Sequence, residues 1–178
     1  MKHLFLTASV LVMCACGDGK ADAVEHAQAT ADSLAASAHA NVIDLAQYDL
    51  PLVVNMPDAQ TLGGAEPSVV WKDETGKLEV RAGDHFGLWI TEEPGDPARW
   101  KADLDRDLLK KNTVLSERPD LLIYKSEFPD DASLVFIHFY RIIQADGRSF
   151  VVQDMDGPRF NEQDVDRMSG ALSPRRPA

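Results

Sequence analysis

Few residues of this 178-residue chain have the types and spacing that chemistry requires. The run Asp154-Met155-Asp156-Gly157 comes nearest to a cation loop. With Gly157 at position six of a calcium loop, Val152 falls at position one and Gln163 at position twelve, and both places need a carboxylate. The run therefore reads as an acidic turn leading into a helix. His26, His39, His85 and His138 lack the pairwise spacing that puts two ligands on one helix face, so each reads as a structural histidine. No Gly-x-Ser-x-Gly elbow occurs. Gly63-Gly64 has neither the lysine nor the strand-to-helix context of a phosphate loop. Carboxylates are abundant, but abundance pairs no two of them for acid–base work. Trp71, Trp89 and Trp100 read as core or edge anchors, given the area an indole buries. The residues thus predict no enzyme, no metal and no cofactor. One constellation remains open. Trp89, Phe136, His138 and Tyr140 could line a concave apolar site for a small molecule or lipid.

The elements that must position these residues centre on Ser133 to Asp154, the longest β-prone run. It breaks once, at Asp146-Gly147, a dipeptide that tolerates positive φ at both positions of a two-residue hairpin turn. That turn fixes a register in which Ala145 faces Arg148, Gln144 faces Ser149, Ile143 faces Phe150 and Arg141 faces Val152. One face then carries Val135, Ile137, Phe139, Ile143, Phe150 and Val152. The other carries Leu134, Phe136, His138, Tyr140, Ile142 and Val151. Both faces are largely apolar, which predicts a central hairpin covered on both sides.

Upstream, Leu50–Asn55 reads as a first strand, with Pro51 suited to a first or edge position. Thr61 to Pro67 reads as a loop. Val69-Val70-Trp71 and Leu78-Glu79-Val80 read as a hairpin around Gly76. Ala82-Gly83-Asp84 turns into a strand from His85 to Glu92, with Phe86, Leu88 and Ile90 on one side and Trp89 on the other. A helix is predicted over Asp96 to Lys111. Asp96 caps it, Pro97 takes its first position, and Trp100, Leu104 and Leu108 form its stripe. Asn112 can close it. One strand follows within Val114 to Glu127, around Leu121 to Tyr124. A second helix spans Glu162 to Leu172, capped by Asn161 with Asp164 at N3, and Ser173-Pro174 stops it. Strands, a helix, three strands and a helix make an α+β domain, an antiparallel sheet with helices packed on it. In this order of elements, over about residues 42–173, the chain resembles the PsbP-like fold. That resemblance implies a non-enzymatic binding role and names no ligand.

The first sixteen residues, MKHLFLTASVLVMCAC, read as an address. Lys2 supplies a positive start. Leu4 to Met13 is an apolar run too short to span a bilayer, which takes ~20 residues. The ending Met13-Cys14-Ala15-Cys16 resembles a bacterial lipoprotein lipobox, with a small residue before Cys16 and Met13 where Leu is usual. Cys14 fits less well, because Met13 would precede it. The resemblance implies cleavage before Cys16 and several acyl chains on it, a firm anchor to a membrane. Residues 1–15 are then the signal peptide, 16–40 the lipidated cysteine and an Ala-rich tether, 41–173 a single domain and 174–178 a tail. Gly17 and Asp18 after the cysteine favour the outer membrane, with the domain facing the periplasm.

Composition narrows the partners. The chain carries 18 Lys plus Arg against 29 Asp plus Glu, a net charge of −11. Nucleic-acid binding rests on clustered basic residues, so the acidic balance argues against it. Both cysteines lie in the first sixteen residues, so the domain must be held by core burial alone, without a disulfide. The functional expectation is a membrane-anchored lipoprotein whose α+β domain binds a protein partner in the cell envelope. The alternative is a carrier that uses the aromatic site.

Overall fold

The computed structural model describes residues 41–157 and 159–176. The signal peptide, Cys16 and the tether lie outside the described residues. In chain order the elements are β1 (Val42–Asp44), a 3-10 turn (Ala46–Tyr48), β2 (Leu52–Asn55), β3 (Ser68–Lys72), β4 (Lys77–Ala82), β5 (Phe86–Glu92), α1 (Pro97–Asp105), β6 (Lys111–Arg118), β7 (Leu121–Phe128), β8 (Asp131–Ala145), β9 (Arg148–Asp154), α2 (Glu162–Ala171) and β10 (Leu172–Pro174). They form a seven-stranded sheet in the order β3-β4-β5-β9-β8-β7-β6 and a three-stranded sheet in the order β1-β2-β10. Every neighbouring pair is antiparallel. The architecture is a sheet-dominated α+β fold.

The β8–β9 hairpin stands in the middle of the large sheet, in the register the turn dictates. Ala145 opposes Arg148, Ile143 opposes Phe150 and Arg141 opposes Val152. Asp146 and Gly147 take φ of 49° and 75°, the left-handed pair that a two-residue turn between right-twisted strands requires. One face packs into the main core, where Phe86, Phe139 and Phe150 are fully buried. Each such side chain contributes ~1.5–3 kcal/mol of burial. The other face carries a smaller cluster of Leu122, Tyr124, Tyr140 and Val151, covered by Trp100 and Leu104 of α1. The hairpin is therefore covered on both sides.

On the main-core side, α2 is held at both ends. The Asn161 side chain accepts from the Asp164 N–H at 2.9 Å, and Asp164 accepts from the Asn161 N–H at 3.2 Å, the expected reciprocal cap. At the far end Arg141 Nη1 donates to the carbonyls of Ser169 (2.6 Å) and Leu172 (3.2 Å). A cation there meets the negative end of the helix dipole. Burial draws the Arg141 pKa down.

Four expectations need correction. First, α1 ends at Asp105, not at Lys111. The Asp107 carboxylate accepts from the N–H groups of Leu109 and Lys110 and so breaks the helix. Leu108 is 96% exposed and belongs to no stripe, while Lys111 opens β6. Asn112 does cap the helix, from a distance: its Nδ2 donates to the Leu104 carbonyl at 2.9 Å. Second, the stretch 114–127 lies in two strands, β6 and β7, joined around Pro119-Asp120. β6 is an edge strand with mostly polar, exposed side chains, so it lacks an apolar alternation. Third, Leu172–Pro174 continues as β10 rather than ending as helix and tail, with Leu172 opposite Val54. Fourth, that pairing makes β2 the middle strand of its sheet, not an edge. Pro51 precedes β2, and its carbonyl accepts from the Arg175 N–H at 2.9 Å. β1, three residues long, carried too little sequence to register as a strand.

Candidate functional site

The face of the large sheet under α1 builds the site. Register places Trp89 of β5 beside Gln153 of β9, and Gln153 beside Tyr140 of β8. In the next row His138 of β8 opposes Tyr124 of β7. Side chains two residues apart along a strand share a face, so these five groups stand together. α1 is docked over part of this surface. Its Trp100 ring stacks on Tyr140 with centroids 5.0 Å apart and planes at 17°. The Tyr140 hydroxyl accepts from the Asp96 N–H at 3.0 Å and holds the start of the helix. Asn112, which accepts from Ser126 Oγ at 2.6 Å, ties the end of the helix to β7.

Between the helix and the uncovered part of the sheet lies a cleft of about 360 Å³. Trp89, Trp100, Tyr124 and His138 give it aromatic walls, and Leu104 adds an apolar one. Polar groups reach it from β4, from β9 and its following turn, and from α1 and the loop after it. A smaller hollow of about 310 Å³ lies on the other side of Trp100, beside Tyr140 and Arg99.

One wall is set by a strand that parts from its neighbour. β9 pairs with β8 only as far as Gln153 opposite Tyr140. One residue on, the Asp154 side chain replaces the missing strand bond: its Oδ1 accepts from the Phe139 N–H at 2.8 Å. Its Oδ2 meets His138 Nδ1 at 2.7 Å. Asp154 is 7% exposed, so both bonds form away from bulk water. The carboxylate can only accept, so the His138 Nδ1 carries the proton of this bond. Tyr124 lies 5.3 Å from the His138 ring, centre to centre. Burial pushes the Tyr124 phenol well above its ordinary pKa, Asp154 adds to that, and the Trp100 indole N–H works against it. That indole N–H is buried and makes no well-formed hydrogen bond.

The four residues expected to line an aromatic site are only partly brought together. Trp89 and His138 line the cleft. Tyr140 lies on the same face, but Trp100 covers it, and it borders the smaller hollow instead. Phe136 borders neither cavity; it stacks on His138 at 6.1 Å, with the Arg159 guanidinium 5.4 Å from its ring centre. Sequence reasoning missed Lys77, Trp100, Tyr124 and the cleft's carboxylates as site residues. Tyr124 could have been found, because β7 pairs with β8. The residues from α1 and its loop carry no local mark of where the helix docks.

A buried carboxylate that orients a histidine also occurs in catalytic triads, but such sites need a nucleophile beside the imidazole. Among the described residues no serine, threonine or cysteine lines this cleft. Among the described residues no group of three or more His, Cys, Asp or Glu is placed to hold a metal. Among the same residues no helix is long and apolar enough to cross a membrane. No protein-family model matches the chain, and neither a curated protein nor a solved structure is detectably similar to it.

Proposed function

We propose that this protein is a lipid-anchored binding protein of the cell envelope, and that its domain holds a small molecule in the cleft beneath α1. The observation that carries the reading is the aromatic-walled cavity of about 360 Å³, a volume in the range of small-ligand sites. The lipobox ending at Cys16 supports the anchor, and the outer membrane is the favoured location. The order of elements, an antiparallel sheet with one helix on each face, is the basis for reading the domain as PsbP-like. The activity is binding, not turnover.

A small-molecule library, screened by thermal shift against the mature chain bearing Cys16→Ser, tests this. At least one compound class should stabilise the protein saturably, as mass action requires of a ligand of the native state. Trp89→Ala should abolish the effect. A library without a stabilising compound, or a stabilisation indifferent to Trp89→Ala, would contradict the reading.

A second reading, an envelope protein partner, draws on Leu108 and Leu109. They are 96% and 77% exposed on the loop between α1 and β6, two residues of which border the cleft. Large apolar side chains so exposed mark contact surfaces when they cluster. Crosslinking from intact cells through a photoreactive residue at position 108 would capture a discrete partner on this reading and none on the first.

A further inference from the structure

The charges around the cleft narrow the chemistry of its ligand. Four carboxylates line it, from Asp103, Asp107, Asp154 and Asp156, against the two ammonium groups of Lys77 and Lys110. Lys110 Nζ stands 4.0 Å from Asp107 and is offset by it. Arg106 engages Asp103 at 3.3 Å from outside the lining, and Asp154 is engaged by His138. Asp156 has no ion pair or hydrogen bond among the described residues. Four carboxylates against two ammonium groups leave the lining with a formal charge of −2, which Arg106 cuts to −1, inside a chain whose net charge is already −11. An anion entering it would meet repulsion at short and long range alike.

The aromatic walls select in the same direction. The faces of indole and phenol rings attract cations. Lys77 already demonstrates this at one wall, with its ammonium 5.9 Å from the centre of the Trp89 ring. The protein's own side chain thus sits where the positive group of a ligand would be held. Among the described residues no carboxylate stands within ion-pair distance of it, and the Trp89 ring is its partner.

We infer that the cleft takes a small organic cation, an alkylated ammonium with a compact apolar body. The inference rests on the binding reading above and adds the ligand class to it. The positive group would lie against the aromatic walls within the field of Asp156, and the apolar body would meet Leu104. Lys77 competes with the ligand for the Trp89 face and also repels it.

Three probes of nearly one shape test this by calorimetry at low salt: choline, its neutral isostere 3,3-dimethyl-1-butanol, and the anion 3,3-dimethylbutanoate. The protein is the mature chain bearing Cys16→Ser. Choline should bind at least about ten-fold more tightly than the neutral isostere, and the anion should not bind. Two variants, at the exposed Asp156 and the half-buried Lys77, then move affinity in opposite directions. Asp156→Asn removes a negative charge and should weaken choline several-fold. Lys77→Met removes a positive charge and frees the indole face, and should tighten it. A merely structural role would not give opposite signs. Equal or tighter binding of the neutral or anionic probe overturns the inference and leaves the cleft as a binding site for another class. Choline binding that ignores both variants overturns it as well. Failure of all three probes overturns it too, and if the thermal-shift library also yields no ligand, the binding reading fails separately.

Discussion

Replacing Asp154 with alanine should destabilise the domain by about 2–4 kcal/mol. The figure combines the two bonds that the carboxylate makes, with the second discounted for solvent. The Phe139 N–H donates to it at 2.8 Å in a buried setting, and leaving such a donor unpaired costs ~1–3 kcal/mol. The His138 contact at 2.7 Å involves a charged group, for which ~1.5–3 kcal/mol is usual. The His138 side chain is 17% exposed, so water recovers part of that second loss. Asp154→Asn is the informative companion. Its amide oxygen still accepts from Phe139, and His138 can change tautomer to accept from the amide nitrogen. That variant should lose only about 1 kcal/mol, one neutral bond's worth. Urea unfolding of the mature Cys16→Ser chain, followed by fluorescence and circular dichroism, gives both values from the midpoints. If Asp154→Ala costs under ~1 kcal/mol, or Asp154→Asn costs as much as alanine, the carboxylate does not replace the strand bond as argued.

Three further outcomes follow from the same geometry. Phe139→Ala should cost ~3–5 kcal/mol in the same urea titration, because a fully buried ring leaves a cavity in the main core; a loss below ~1 kcal/mol would mean that the opposite face is the core. The Tyr124 phenol is raised by burial in the folded state and ionises near pH ~10 when unfolded, so stability present below that pH should fall as pH rises above it. Tyr124→Phe should flatten that alkaline decline in melts run from pH 9 to 12, and an unchanged decline would contradict the assignment. Cys16→Ala should block incorporation of a fatty-acid analogue, while Cys14→Ala should leave it intact; label on the Cys16→Ala protein would remove the lipobox.

How much of this was legible in the sequence depended on how local each determinant is. Asp146-Gly147 dictated the hairpin register because two consecutive positive-φ positions admit one tight turn. Asn161 and Asp164 fixed the start of α2 because both halves of the cap lie within four residues. The end of α1 was misread because Lys110-Lys111 suit a helix terminus, while the Asp107 side chain that stops the helix looks like any other acid on its surface. β6 and β10 were missed because their partners, β7 and β2, supply the reason for them. β10 is only three residues long, and β6 faces solvent at a sheet edge. The site divides the same way. Trp89 and His138 could be named from strand alternation alone. Phe136 obeys the same alternation but stands one step further along β8, behind the His138 ring on which it stacks. Trp100 and the carboxylates of the α1 end reach the cleft only through the docking of α1, which Tyr140 secures from 44 residues away and Asn112 through its bond to Ser126 of β7.

The central claim is that the space between α1 and the sheet is where this protein meets its ligand. Indole nuclear magnetic resonance tests it most directly, since the chain has three tryptophans and two of them, Trp89 and Trp100, line the cleft. The mature Cys16→Ser chain, labelled with nitrogen-15 at tryptophan, would be titrated with a small-molecule extract of the cells it comes from. The Trp89 and Trp100 indole resonances should shift together and saturate, while that of Trp71, which is outside the lining, stays in place. Stationary Trp89 and Trp100 resonances, or a shift confined to Trp71, would contradict the account.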